Sequence, residues 1–110
     1  MHIEASPAPG TVTQITSIAT GVTINALAGA ITTVSQTVGA GAEAAFTVTN
    51  DKVRAGDAVL VWVKTHTSAG KFMPAVTAVA DGSFEITISN VDAAAGNNTL
   101  VIGFLVVKTG

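Results

Sequence analysis

The chain closes on a run of eight apolar residues, Leu100-Val101-Ile102-Gly103-Phe104-Leu105-Val106-Val107, and no other feature limits its possible folds so strongly. The run is far shorter than the roughly 20 residues a membrane-spanning helix needs. Half of it is β-branched, a side-chain type that loses rotamer freedom in a helix and packs well on a pleated sheet. Extended from Thr99 to Val107, it puts Val101, Leu105 and Val107 on one face and Leu100, Ile102, Phe104 and Val106 on the other. Neither face suits water. Such a strand is either central and covered on both sides within its own domain, or has one face on the core and the other against a second subunit.

The rest of the chain carries the same period. Val22-Thr23-Ile24-Asn25 alternates apolar with polar, Ala30 to Val34 follows Gly29, and Ala44 to Thr49 sets Ala44, Phe46 and Val48 opposite Thr47 and Thr49. From Asp57 to Lys64, Val59, Val61 and Val63 share one face while Leu60 and Trp62 share the other, which predicts a central or covered strand. Ala78-Val79-Ala80 and Ser83 to Ser89 flank Asp81-Gly82, the signal for a hairpin with a two-residue type I′ turn. Gly39-Ala40-Gly41-Ala42 reads as a loop, and Ala93-Ala94-Ala95-Gly96 as a short turn or one-turn helix. The 110 residues suffice for one sheet-on-sheet core. The expected fold is all-β, a small single-domain β-sandwich or barrel-like (jelly-roll-like) unit over residues 11–110. Residues 1–10 form an extended N-terminal arm, because Pro7, Pro9 and Gly10 deny that stretch both a helix and a central strand.

Charge is scarce. Lys and Arg number 5 and Asp and Glu 7, where about 25% charged residues would be usual. Thr-rich strands supply neutral polarity, yet 48% hydrophobic residues imply that part of the surface is covered by sister subunits or a larger partner. A net charge of −2, carried by scattered groups, gives no basic footprint for nucleic acid. The N-terminus lacks the cationic start and apolar run of a secretory signal, and no stretch reads as a membrane segment. The absence of cysteine removes disulfide and thiolate chemistry and fits assembly inside a cell.

No motif points to catalysis. Only His2 and His66 could serve as an imidazole base, and His66 in Thr65-His66-Thr67-Ser68 has no nucleophile elbow nearby, so it reads as a solvated loop residue. Asp51, Asp57, Asp81 and Asp92 sit beside Asn or Gly at corners, where carboxylates bond to turn backbone. No metal-ligand spacing occurs within one chain; only copies of His2 or His66 meeting on a threefold axis would make a site. Asn97-Asn98-Thr99 fits the glycosylation pattern but lacks the secretory context. The glycine clusters lead into strands, not helix N-termini, and so form no phosphate cradle. Trp62, the lone tryptophan in a chain without tyrosine, reads as a core or subunit-interface residue in preference to a sugar-stacking platform. The expectation is a non-enzyme with no catalytic, cofactor or metal residues.

Val22 to Thr33, Ala44 to Asn50, Gly56 to Val61 and Asn90 to Phe104 together resemble a family of small tailed-bacteriophage virion structural proteins. The resemblance runs roughly from Ile15 to Val107 and consists of strand and turn patterns, with no site motif to carry over. It implies a β-sandwich-like subunit that forms a homotrimer and binds the major capsid protein on the outer capsid surface as a decoration (cement) protein, after assembly in the host cytoplasm. The related alternative is a head- or tail-fibre tip domain that binds a host receptor or glycan. The lack of a long shaft favours decoration.

Overall fold

A computed structural model describes residues 10–66, 72–92 and 96–108, with backbone alone at 36, 37, 66 and 96–98. Among the described residues ten strands occur: β1 (Gly10–Thr13), β2 (Val22–Thr23), β3 (Ala28–Thr32), β4 (Gln36–Val38), β5 (Glu43–Thr49), β6 (Ala58–His66), β7 (Phe72–Ala80), β8 (Ser83–Asn90), β9 (Gly96–Asn98) and β10 (Leu100–Val107). Eight of them build two four-stranded sheets in the orders β1-β3-β10-β6 and β2-β5-β8-β7, while β4 and β9 form a two-stranded ribbon. The fold is all-β and sandwich-like, as the strand periodicity predicts.

Alternation produces the core. Ile102, Phe104 and Val106 of β10 and Ile31 of β3 point inward from the first sheet, and Phe46, Val48, Phe84, Ile86 and Ile88 meet them from the second. Phe84 and Phe104 join the two layers as a tilted ring pair, centroids 5.6 Å apart at 53°, a geometry the aromatic quadrupole favours.

Within each sheet three strands are antiparallel, β3-β10-β6 in one and β5-β8-β7 in the other. The fourth strand in each, β1 or β2, lies at an edge and pairs parallel, with β3 and β5 respectively. Both parallel strands belong to one stretch, residues 10–23. Gln14 anchors that stretch. Its buried amide donates to Ile18 O and Thr20 O, both at 2.9 Å, and accepts from Val34 N. Beyond it, Ser17 N donates to Ile15 O at 2.8 Å across Thr16, whose φ of 73° makes this the strained form of the γ-turn.

Several sequence expectations need correction. Among the described residues β6 is an edge strand, not a central one: its ladder is with β10 alone, and its Leu60–Trp62 face stays open. β10 is central between β3 and β6, yet Leu105 and Val107 on its second face are exposed, so being hydrogen-bonded on both edges does not cover both faces. Asp81-Gly82 does join β7 to β8, but only Gly82 takes a positive φ, 83°, whereas a type I′ turn needs it at both central residues. Neighbours set this turn: Ala55 N donates to Asp81 Oδ1, Gly82 N to Val53 O, and Asn50 N to Gly82 O, all within 2.9 Å. β7 begins at Phe72, six residues before the predicted start, and tolerates Pro74 because it is an edge strand. Gly10 opens β1 instead of closing an arm. Gly39 to Ala42 is a turn closed by Ala42 N donating to Gly39 O. Residues 93–95, expected to turn, lie outside the described residues, and Gly96 opens β9.

Candidate functional site

The two outward faces of the sandwich differ in chemistry. On the second sheet, register places Glu43, Ser89 and Met73 in one row, Ala45, Thr87 and Ala75 in the next, then Thr47, Glu85 and Ala78, then Thr49, Ser83 and Ala80. Met73 is the one large apolar side chain there. Hydroxyls and carboxylates bond across the strands: Thr77 Oγ1 donates to Glu85 Oε1 at 2.6 Å and lies 2.8 Å from Thr87 Oγ1. Beside Glu43 and Glu85, neutral hydroxyls supply the polarity of this face, which accounts for part of the charge shortage without any partner.

The first sheet carries such a coating at one end only. Its outward rows are Thr13, Thr32, Val101 and Thr65, then Thr11, Ala30, Gly103 and Trp62, then Ala28, Leu105 and Leu60, then Val107 and Ala58. Leu60 is 53% exposed, Trp62 45%, and Leu105 and Val107 39% each. Four of the large exposed hydrophobic residues therefore share one sheet face, a concentration that marks interaction surfaces more often than scattered apolar residues do.

Local packing fixes Trp62. Gly103 is its register partner, and a β-carbon built on Gly103 would fall 2.6 Å from Cζ2 and Nε1 of the indole. The ring therefore lies over bare backbone, a close approach that only glycine allows. Beside it the small side chains of β1 and β3 leave an open depression of about 250 Å³, lined by Gly10, Thr11, Ala28, Gly29, Ala30, Trp62, Lys64 and Phe104. Of the two readings of Trp62, the core is excluded, and the ring is presented to the outside. Alternation alone places Leu60 and Trp62 together; that β3 and β10 would meet Trp62 with only alanine and glycine was not visible without the strand order.

The remaining candidates hold the fold. Asp57 accepts from Arg54 N and pairs with Lys108, which also donates to Lys52 O at 2.8 Å. Arg54 donates to Asp51 O and Val53 O. Cations and acids are thus mixed in one corner of the sandwich. At two strand ends a buried asparagine also bonds to the backbone. Fully buried Asn50 donates to Ala26 O at 2.6 Å and accepts from Lys52 N; Asn90, equally buried, donates to Val38 O at 2.8 Å and accepts from Asp92 N. Each ends a strand of the second sheet, and at each the neutral amide supplies both a donor and an acceptor where a carboxylate could only accept.

His66 closes β6 with its backbone paired to Leu100, and its side chain lies outside the described residues, as do His2, Thr67 and Ser68. Among the described residues no three His, Cys, Asp or Glu side chains converge, and no helix is long and apolar enough to cross a membrane. Compared with protein-family models, curated proteins and solved structures, the chain has no match.

Proposed function

We propose that this chain is a non-enzymatic structural subunit of a virion, a capsid decoration (cement) protein that binds the outer capsid surface as a trimer and stabilises the shell. The observation that carries the reading is the one-sided polarity of the sandwich: a hydroxyl-rich outer face on the second sheet, and Leu60, Trp62, Leu105 and Val107 open on the first. A subunit built this way lies flat on a larger surface, its apolar face inward and its threonine face outward. The virion setting and the trimer rest on the resemblance of its strand and turn patterns.

Area supports a multimeric attachment. Four strands about 4.8 Å apart and about 20 Å long present on the order of 400 Å² in projection. A standard interface takes about 800 Å² per partner. One copy bound through this face alone attaches weakly, whereas three linked copies act together through effective concentration.

The test is to compare virions with and without the protein for copy number and for survival under heat or osmotic shock. Many copies per capsid, and faster loss of infectivity when they are missing, support the reading. A few copies at a single vertex, or unchanged survival, overturn it.

The exposed Trp62 beside its depression favours one second reading, a head- or tail-fibre tip that stacks a receptor sugar on the indole. Binding of isolated protein to host cells or glycans, abolished by Trp62→Ala, would support that reading; no binding excludes it.

A further inference from the structure

We infer that the open edge of β6 pairs antiparallel with β6 of a second copy about a twofold axis through Val61, joining subunits of neighbouring trimers across the shell. The inference rests on the flat attachment proposed above for its setting. Its test uses free protein, so it can fail while that attachment stands.

Each four-stranded sheet has two edges, and three of the four edges are guarded. β1 and β2 are four and two residues long, and short edge strands offer little to pair with. β7 carries Pro74 and a register shift between Val76 and Ala78, both devices that hinder addition of a strand. β6 differs. From Ala58 to Val63 it has no proline, no charge and an unbroken register with β10. Among the described residues nothing pairs with its other edge. Its inner side is thinly covered as well: Val59, Val61 and Val63 are only partly buried, whereas Ile102, Phe104 and Val106 beside them on β10 are buried. One more strand would complete both the ladder and the margin of the core.

The sequence of β6 is complementary to itself. Directly opposed residues of an antiparallel pair lie on one face. With Val61 on the axis, Leu60 opposes Trp62 of the second copy on the open face, and Val59 opposes Val63 on the core side. Lys64 meets Ala58, the smallest side chain of the strand. The two lysines then stand about 20 Å apart, beyond the reach of screened repulsion. A slip of one residue would set core valines against the open face, and a register with Trp62 on the axis would set Leu60 against Lys64.

Area and direction also favour a second copy. One open face offers on the order of 400 Å²; two joined edge to edge offer about 800 Å², the standard amount per partner. The axis of such a pair stands normal to the sheet. A sheet lying flat on a shell shares the normal of the shell, which is also the direction of a local twofold axis between neighbouring trimers. The contact is isologous, so one strand serves both partners.

The chain has no cysteine, so introduced thiols report the pairing without background. Free full-length Leu60→Cys and Trp62→Cys proteins, mixed and mildly oxidised, should give a disulfide-linked dimer as the main product, since opposed β-carbons lie about 5 Å apart. Either variant alone should give only a trace, because its two thiols lie out of register. In the unmodified protein, rising concentration should slow hydrogen exchange at the β6 amides that do not bond to β10 and leave β7 unchanged. A mixture that bridges no better than either variant alone overturns the pairing. Bridging of Leu60→Cys to Leu105→Cys also overturns it: Leu105 lies one strand further from the axis and meets the second copy only if the open faces stack. Exchange at β6 that is independent of concentration overturns it too. Copy number and survival of virions, the measures of the attachment itself, are untouched by any of these results.

Discussion

Trp62 and Gly103 are register partners on neighbouring strands, and the indole occupies the space where a side chain at 103 would begin. Gly103→Ala should therefore displace the ring, costing about 1–3 kcal/mol as overpacking usually does, with a red shift in tryptophan emission. The cost should largely vanish in a Trp62→Ala background, since residues in contact do not add. Urea unfolding of the four proteins in the cycle checks this, and additive effects would show that the ring is not held there.

Asn50 and Asn90 should each be worth about 1–3 kcal/mol against alanine, the cost of leaving a buried backbone group without its partner. Aspartate at either position should be worse than alanine, because it sets a carboxylate against the carbonyl of Ala26 or Val38. Denaturant midpoints for Asn50→Ala, Asn50→Asp, Asn90→Ala and Asn90→Asp give the order.

Phe84 and Phe104 hold the two sheets together. Phe84→Ala or Phe104→Ala should lose about 3–5 kcal/mol, and the double variant should lose less than the sum by about 0.5–1.5 kcal/mol, the coupling of an aromatic pair. The same unfolding assay measures it.

Lysine on the open face should spare the fold and weaken attachment. Leu60→Lys with Leu105→Lys removes apolar side chains already half in water, so stability should stay within about 0.5 kcal/mol, while sedimentation should show less self-association and particle-binding assays less retention. Thr47→Lys, on the hydroxyl face, should change none of these. Equal effects from both faces would remove the one-sided attachment.

Much of this fold was legible in the sequence because period-2 alternation is a local signal: Phe46 and Val48, Phe84 and Ile86, and Ile102 and Phe104 all point where their spacing predicts. What failed depended on neighbours. Val61 and Trp62 reveal that β6 is apolar on two faces, but not that it ends its sheet. Pro74 masked the first half of β7, since proline argues against a strand unless the strand is known to lie at an edge. β4 and β9 have three residues each, too few for any periodicity. Asp81 lacks the predicted positive φ because the loop from Asn50 to Ala55 grips the turn from outside. The open face of the first sheet needed strand order as well, because its floor of Ala28, Ala30 and Gly103 comes from strands far apart in sequence.

The stretch from Gly10 to Thr23 gives each sheet its one parallel edge strand. Taking it away would leave two three-stranded antiparallel sheets with every other ladder intact. It is thus built as a strap that can open as a unit at lower free energy than the whole domain. Tension on the residues ahead of Gly10 falls first on this strap, so pulling there peels one margin of the sandwich before its aromatic centre is disturbed. In hydrogen exchange the amides of Val12 and Thr13 would then release their protons well ahead of those of Ile86 and Phe104.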